Sequence, residues 1–271
     1  MKKYVNLFVF VFMVGACFSQ GKAQTKSAVS YKNPVVDIAM PDPTVIKAAD
    51  GYFYMYATES TRNVPIMKSK DLVQWTYCNT AFTNKTRPRF EPKAGIWAPD
   101  INYINNKYVL YYAMSVWGGE QTCGIGVATA DSPQGPFTDH GKMFRSNEIG
   151  VQNSIDPSFL QYEGINYLVW GSFRGIYVIE LTEDGLSLKP GAEKKRIAGT
   201  AFEAAHIHKH GDYYYMFASI GSCCEGIRST YKVVVGRSKK VWGPYKDKSG
   251  KPMLKNGYSL VIGANYHFVC N

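Results

Sequence analysis

The chain is predicted to be all-β, a propeller built from repeated units of about four strands, and three observations carry that prediction. An acid opens a short strand four times, at Asp42, Asp100, Asp156 and Glu203, with spacings of 58, 56 and 47 residues. Each opening leads to a turn dipeptide and then to an aromatic-rich strand of period two, the pattern of a hairpin packed against a core. A weaker repeat closes three of the units, Lys68 to Trp75, Ala130 to Phe137 and Arg237 to Tyr245, read as outer strands with a bulky ring packed beneath the next blade.

The units follow in order. In the first, Asp42 opens, Asp50-Gly51 turns and Tyr52 to Tyr56 returns. In the second, Trp97-Ala98-Pro99-Asp100 opens, Asn105-Asn106 turns and Tyr108 to Met114 returns. The third opens at Ser154-Ile155-Asp156-Pro157, turns at Glu163-Gly164 and returns as Tyr167 to Trp170. The fourth opens at Phe202-Glu203-Ala204-Ala205, turns at His210-Gly211-Asp212 and returns as Tyr213 to Phe217. In a propeller the first strand of every blade lines the central channel, so acids fixed at its start converge on one axial pocket.

At 271 residues one all-β domain suffices and no second is required. Lys2-Lys3, an apolar run from Val5 to Phe18 and a polar stretch to Gln24 read as a secretory leader, too short to span a bilayer comfortably. Two processing readings stay open. Cleavage after Ala23 removes residues 1–23 and leaves 24–271; alternatively Val14-Gly15-Ala16-Cys17 resembles a bacterial lipobox, with leader 1–16 removed and Cys17 lipidated, the one route to a membrane. Loss of the longer leader lowers the formal charge from +10 to about +7. Cationic runs stop at Lys194-Lys195-Arg196 and the aromatics sit in strand patterns instead of among the charges, which argues against a nucleic-acid partner. Of six cysteines one lies in the leader, so the remaining five cannot all pair within a monomer, and their spacing fits no zinc module. Cys223-Cys224 is read as two thiols facing opposite sides of a strand, in preference to a vicinal disulfide.

Three of the acids are read as chemical. Asp42 and Asp156 each precede a proline, which fixes φ just beyond the carboxylate. One such corner is ordinary turn chemistry; two, at blade spacing, point to carboxylates aimed into the channel. Glu203 lies among Ala201, Phe202, Ala204 and Ala205, surroundings that raise a carboxyl pKa as a general acid near neutral pH requires. Carboxyls on opposite sides of a pocket suit glycoside hydrolysis, one protonating the leaving oxygen and one deprotonating a water, with a third orienting the second. Asp100 is read first as structural, and is grouped with Trp97, a ring for stacking on a sugar, and with Asn153 and His206 as lining the substrate pocket. His206, His208 and His210 share one strand face, but alternate residues stand about 6.6 Å apart and do not converge on one zinc; no metal-ligating set is assigned.

From Tyr31 to His267 the sequence resembles glycoside hydrolase family 43, the five-bladed propeller arabinanases, arabinofuranosidases and xylosidases. The resemblance rests on Asp42-Pro43, Trp97-Ala98-Pro99-Asp100, Ile155-Asp156-Pro157, Glu203-Ala204 followed by Tyr213-Tyr214-Tyr215, and Gly221-Ser222-Cys223-Cys224-Glu225-Gly226 leading to Ser229-Thr230-Tyr231. The last block looks most like the arabinanase branch. By motif, the resemblance implies Asp42 as general base, Asp156 as the pKa-tuning and orienting acid, and Glu203 as general acid. It also implies inversion, with base and acid roughly 6.5–9.5 Å apart. Met40-Pro41 stands where many arabinanases carry a histidine before the first acid, and Ala205 where a proline commonly follows the general acid.

Placing the fourth outer strand near Lys248 leaves about twenty residues, so the fifth blade is expected to be missing or only begun, and the sequence to be truncated at its C-terminus. The resemblance implies a central metal, often calcium, held by a histidine of the fifth inner strand; His267 precedes that place, and no cofactor is required for the chemistry. The expected protein is an exported monomer, periplasmic, outer-membrane-anchored or extracellular, acting on plant arabinan. The alternatives are a β-xylosidase or other pentosidase of the same family, a carbohydrate-binding propeller without turnover, and a protein-interaction propeller.

Overall fold

The computed structural model describes residues 31–263, and those from Asn33 onward belong to one compact unit. The leader, Cys17, His267 and Cys270 lie outside the described residues. Four separate antiparallel sheets of four strands follow one another in sequence order. Blade one is β1 (Thr44–Lys47), β2 (Phe53–Tyr56), β3 (Pro65–Ser69) and β4 (Trp75–Thr80). Blade two is β5 (Gly95–Ile104), β6 (Lys107–Ser115), β7 (Gly124–Ala130) and β8 (Thr138–Arg145). Blade three is β9 (Ser158–Tyr162), β10 (Ile165–Trp170), β11 (Ile176–Glu180) and β12 (Lys195–Ala198). Blade four is β13 (Glu203–His210), β14 (Tyr213–Ile220), β15 (Lys232–Ser238) and β16 (Ser259–Ile262). The first strands neighbour one another in turn, β1 with β5, β5 with β9 and β9 with β13, as a shared axis requires.

The four hairpins turn where the sequence predicts. Asn105 and Asn106 both take positive φ, 47° and 63°, the two left-handed residues of a tight hairpin turn. Asp50 secures its own turn by accepting the Tyr52 N–H at 3.0 Å.

Period-two alternation then sends each blade's apolar residues to two different cores. On β6, Tyr108, Leu110, Tyr112 and Met114 pack toward blade one with Tyr54, Tyr56 and Ile66, whereas Val109 and Tyr111 pack toward blade three with Leu168, Trp170 and Ile179. A third core joins blades three and four through Val169, Val178, Phe202, Ile207, Met216 and Val234. The cores therefore lie between blades, and each blade holds the next. Trp170 is fully buried against Phe144 and Tyr177, and its indole N–H donates to Ser154 Oγ at 3.1 Å. Trp170→Ala is expected to lower unfolding free energy by about 3–5 kcal/mol, read from urea denaturation.

Two details of strand assignment are corrected. The second repeat is the connection from the third to the outer strand, and its ring packs on the preceding blade, not beneath the next: Phe137 of blade two meets Tyr56 and Phe82, and Trp242 of blade four meets Tyr162 and Tyr167 of blade three. The fourth outer strand is also later than expected. After Ser238 the backbone passes through a buried ring at Tyr245 and a short 3-10 turn, Met253–Lys255, before Ser259–Ile262 pairs with β15. The segment from Lys248 to Ile262 thus completes blade four.

Candidate active site

All four inner strands begin with the same distortion. Asp42, Ala98, Asp156 and Ala204 have φ of 49°, 42°, 58° and 50°, a left-handed backbone that costs a non-glycine residue about 1–3 kcal/mol. In blades two and four the pairing shows its result: Trp97 and Asp100 oppose Ala113 and Tyr111, and Glu203 and His206 oppose Ser219 and Phe217. One extra residue on the inner strand makes a β-bulge, which kinks the strand and re-aims its side chains at the channel end.

This bulge overturns the idea of four acids at one repeated position. Only Asp42 and Asp156 occupy the left-handed site, which Ala98 and Ala204 fill in the other blades. Glu203 precedes that site by one residue, equivalent to Pro41, Trp97 and Ile155. Asp100 follows it by two, equivalent to Thr44, Ser158 and His206.

The outcome is a group of three neighbouring carboxyls, Asp42, Asp156 and Glu203. Burial, then the charge of Glu203, then that of Asp42 push the Asp156 carboxyl well above the carboxylate range, opposed by the Ala204 N–H that donates to its Oδ2 at 3.2 Å. Glu203 is only 8% exposed, and burial raises its pKa further than Tyr231 and Ser172 lower it by hydrogen bonding; the Asp42 charge adds to the rise. Asp42 is open to solvent but walled by protein, and desolvation raises its carboxyl against a hydrogen bond from Thr58. That bond, Thr58 Oγ1 to Asp42 Oδ2, is 2.6 Å long, and Thr58 Oγ1 itself accepts the Ala98 N–H at 2.7 Å. The loop bearing Thr58 is braced by the next residue: Glu59 pairs with Arg87, both nearly buried, and accepts the Ile96 N–H at 2.9 Å.

Ser172 closes the set from blade three, donating its hydroxyl to Glu203 Oε2 at 2.8 Å across an antiparallel bridge to the same residue. Tyr231, where β15 begins, donates to Glu203 and contacts Ser219, and its phenol is driven strongly upward by burial and by the neighbouring carboxylates. Thr58 and Ser172 carry no sequence signal, being single hydroxyls in loops, while Tyr231 stands inside the arabinanase-like block without an assigned role.

The other sequence-predicted residues fall in different places. Trp97 lies at the depth of Glu203 on blade two, its ring crowding Gly95, where a Cβ would stand 2.4 Å from the indole nitrogen. The exposed ring of Trp117 lies 5.4 Å from it. Asn153 is half-buried, and its amide donates to Ser172 Oγ at 2.9 Å and to Ser172 O at 3.2 Å, which braces the hydroxyl that reaches Glu203. Asp100 ties blade two to blade three, its Oδ2 accepting the Phe159 N–H at 2.7 Å and the Asn102 amide at 2.8 Å, contacts of the structural kind that its first reading expects. Burial pushes its carboxyl up to about 6. His206 Nδ1 stands 3.3 Å from Ser158 Oγ, and desolvation followed by the neighbouring His208 lowers its pKa. Among the described residues no group of His, Cys, Asp and Glu is placed to hold a metal, so the family's metal finds no fitting donor set there and no chemical step below passes through one.

The model of glycosyl hydrolases family 43 matches residues 31–266. The protein belongs to that family and is a glycosidase. Among family 43 relatives, the extracellular endo-α-(1→5)-L-arabinanase 1 of Bacillus subtilis is 38% identical over 238 residues, spanning 83% of this chain and 72% of the relative. The extracellular exo-α-(1→5)-L-arabinofuranosidase ArbA of Cellvibrio japonicus is 34% identical over 256 residues, spanning 84% of this chain and 72% of its own. A solved α-L-arabinanase of Cellvibrio cellulosa, complexed with arabinohexaose, superposes with a TM-score of 0.76 at 33% identity, covering 83% of this chain and 79% of that one.

Proposed function

We propose that the protein is exported and hydrolyses α-L-arabinofuranosidic linkages of arabinan with inversion at the anomeric carbon. The observation that carries this reading is the group of three carboxyls at one end of the channel, in which a buried Glu203 lies within reach of two aspartates on separate blades. Glu203 is the general acid: burial favours its protonated form, and the hydroxyls of Ser172 and Tyr231 fix where its proton points. Asp42, open to water and held by Thr58, is the general base that deprotonates the attacking water. Asp156 acts through the others, its own proton held by burial and by the charges of Glu203 and Asp42 and its Oδ2 fixed by the Ala204 N–H. Trp97, at the position on blade two equivalent to that of Glu203, supplies a ring face for the sugar. The arabinose linkage is supported by the likeness to an arabinanase and an arabinofuranosidase, and export by both of those relatives being extracellular. Incubating the protein with debranched arabinan and following the first turnovers by proton NMR tests the reading. The inverted anomer is expected first; the retained anomer would overturn it.

The reaction's pH dependence follows from the signs. Asp42 works ionised, so kcat/KM rises with pH as it loses its proton, and its raised pKa sets that limb above the ordinary aspartate value of 3.8. Thr58→Val removes the hydroxyl that favours the carboxylate, so the acidic limb is expected to move to higher pH, with Thr58→Ser restoring it. A limb that stays in place in Thr58→Val would separate Asp42 from the base.

A further inference from the structure

We propose that Cys223 and Cys224 are joined by a disulfide between adjacent residues, which locks the loop at the mouth of the acid-lined channel. Strand alternation would set these thiols on opposite sides, as the sequence predicts. They stand instead in the connection between β14 and β15, with their sulfurs 2.8 Å apart, closer than the ~3.5–4 Å at which non-bonded heavy atoms rest. The backbone is already bent for it, since Cys224 lies in the left-handed region at φ 65°.

Strand pairing fixes where the loop stands. Ser219, near the end of β14, opposes Glu203, so residues 221–231 emerge at the carboxyl end of the channel and lead directly into Tyr231. The loop is pinned at its base, where the Ser222 N–H donates to Thr230 Oγ1 at 3.0 Å and the Thr230 N–H to Ser222 O at 3.1 Å. Further out, the Glu225 N–H donates to Ser229 Oγ at 3.0 Å. A covalent ring at Cys223 and Cys224 adds a constraint between these two pinned points. The other described cysteines cannot compete, with Cys78 on the outer strand of blade one and Cys123 buried beside Ser146.

The chemistry balances with a disulfide as oxidant. One cysteine thiolate attacks the oxidant's sulfur and expels a thiol; the second attacks the mixed disulfide and expels the other thiol. One S–S bond breaks, one forms, and both protons leave with the released thiols. Adjacent Cα atoms are held about 3.8 Å apart, below the ~4.4–6.8 Å usual for a disulfide, so the bond is strained and opens under mild reductant.

The test is peptide mapping of full-length protein secreted through an oxidising compartment, alkylated without reductant and cut with trypsin. The fragment His210–Arg228 holds both cysteines and no other. It is expected unalkylated and lighter than the dithiol by two hydrogens, taking two alkyl groups only after dithiothreitol. Alkylation of both residues without reductant, or either one linked to another peptide, overturns the proposal. This readout needs no turnover, so it stands or falls apart from the hydrolase reading. The consequence for the loop does rest on that reading: dithiothreitol is expected to raise KM for arabino-oligosaccharides about 3- to 10-fold, roughly 0.6–1.4 kcal/mol of loop ordering. The C223S/C224S double variant is expected to show the reduced protein's KM with or without reductant. An equal response of that variant to dithiothreitol would show that the pair does not fix the loop.

Discussion

Glu203→Gln is expected to lower kcat on arabinan about 10²- to 10⁴-fold, the range over which a positioned acid assists departure of a poor leaving group. The replacement keeps shape and an acceptor for the Ser172 hydroxyl, so the change is the loss of a proton donor at Oε1 and Oε2, not of the site. That distinction is measurable. A p-nitrophenyl arabinofuranoside departs as a stabilised phenolate and needs little protonation, so the variant should lose much less activity on it than on arabinan. Equal losses on both substrates would mean that Glu203 is not the proton donor. The basic limb of the wild-type kcat/KM profile belongs to the same proton. Burial moves it above the ordinary glutamate range, against the downward pull of Tyr231 and Ser172.

The reach of sequence reasoning follows the range of each interaction. Strands and turns are local: Asn105-Asn106 or Asp50-Gly51 bend the backbone by themselves, and the alternation along Tyr108 to Met114 marks two buried faces before any partner is known. The three acids proposed to act stand out in the sequence because proline follows two of them and small apolar residues surround the third. Their equivalence is not, because a one-residue bulge breaks the simple count. Asp100 sits two residues beyond the kink, and in register with Thr44, Ser158 and His206 it serves the joints between blades. What escapes the sequence depends on long-range pairing. Ser172 reaches Glu203 across a separation of 31 residues only because blade three's second strand ends beside blade four's first. Asn153 resembles a pocket amide for the same reason, since the carbonyl and hydroxyl it holds belong to Ser172. The adjacent cysteines would alternate if they stood in a strand, and the left-handed residue that turns them together belongs to the loop.

Asp156→Asn is expected to abolish most turnover while making the fold more stable at neutral pH, because one electrostatic arrangement governs both. Asp156 is held protonated to higher pH in the folded protein than in the unfolded one, by burial and by the charges of Glu203 and Asp42. An acid with a raised folded pKa binds more protons folded than unfolded. Its contribution to stability is fully present below the unfolded pKa of about 3.9 and is lost as pH rises through the folded value. The amide is uncharged at every pH, keeps an acceptor for the Ala204 N–H, and relieves Glu203 of a neighbouring charge. The variant's melting temperature should therefore exceed that of the wild type near pH 7, and the gap should close near pH 4. Each kcal/mol recovered is worth about 2–4 °C in a domain of this size. Activity should move the opposite way, since the amide has no proton to share with the carboxyls of Glu203 and Asp42 whose charges act on this position. An asparagine variant that melts lower than the wild type at neutral pH would mean that Asp156 is held as a stabilised carboxylate.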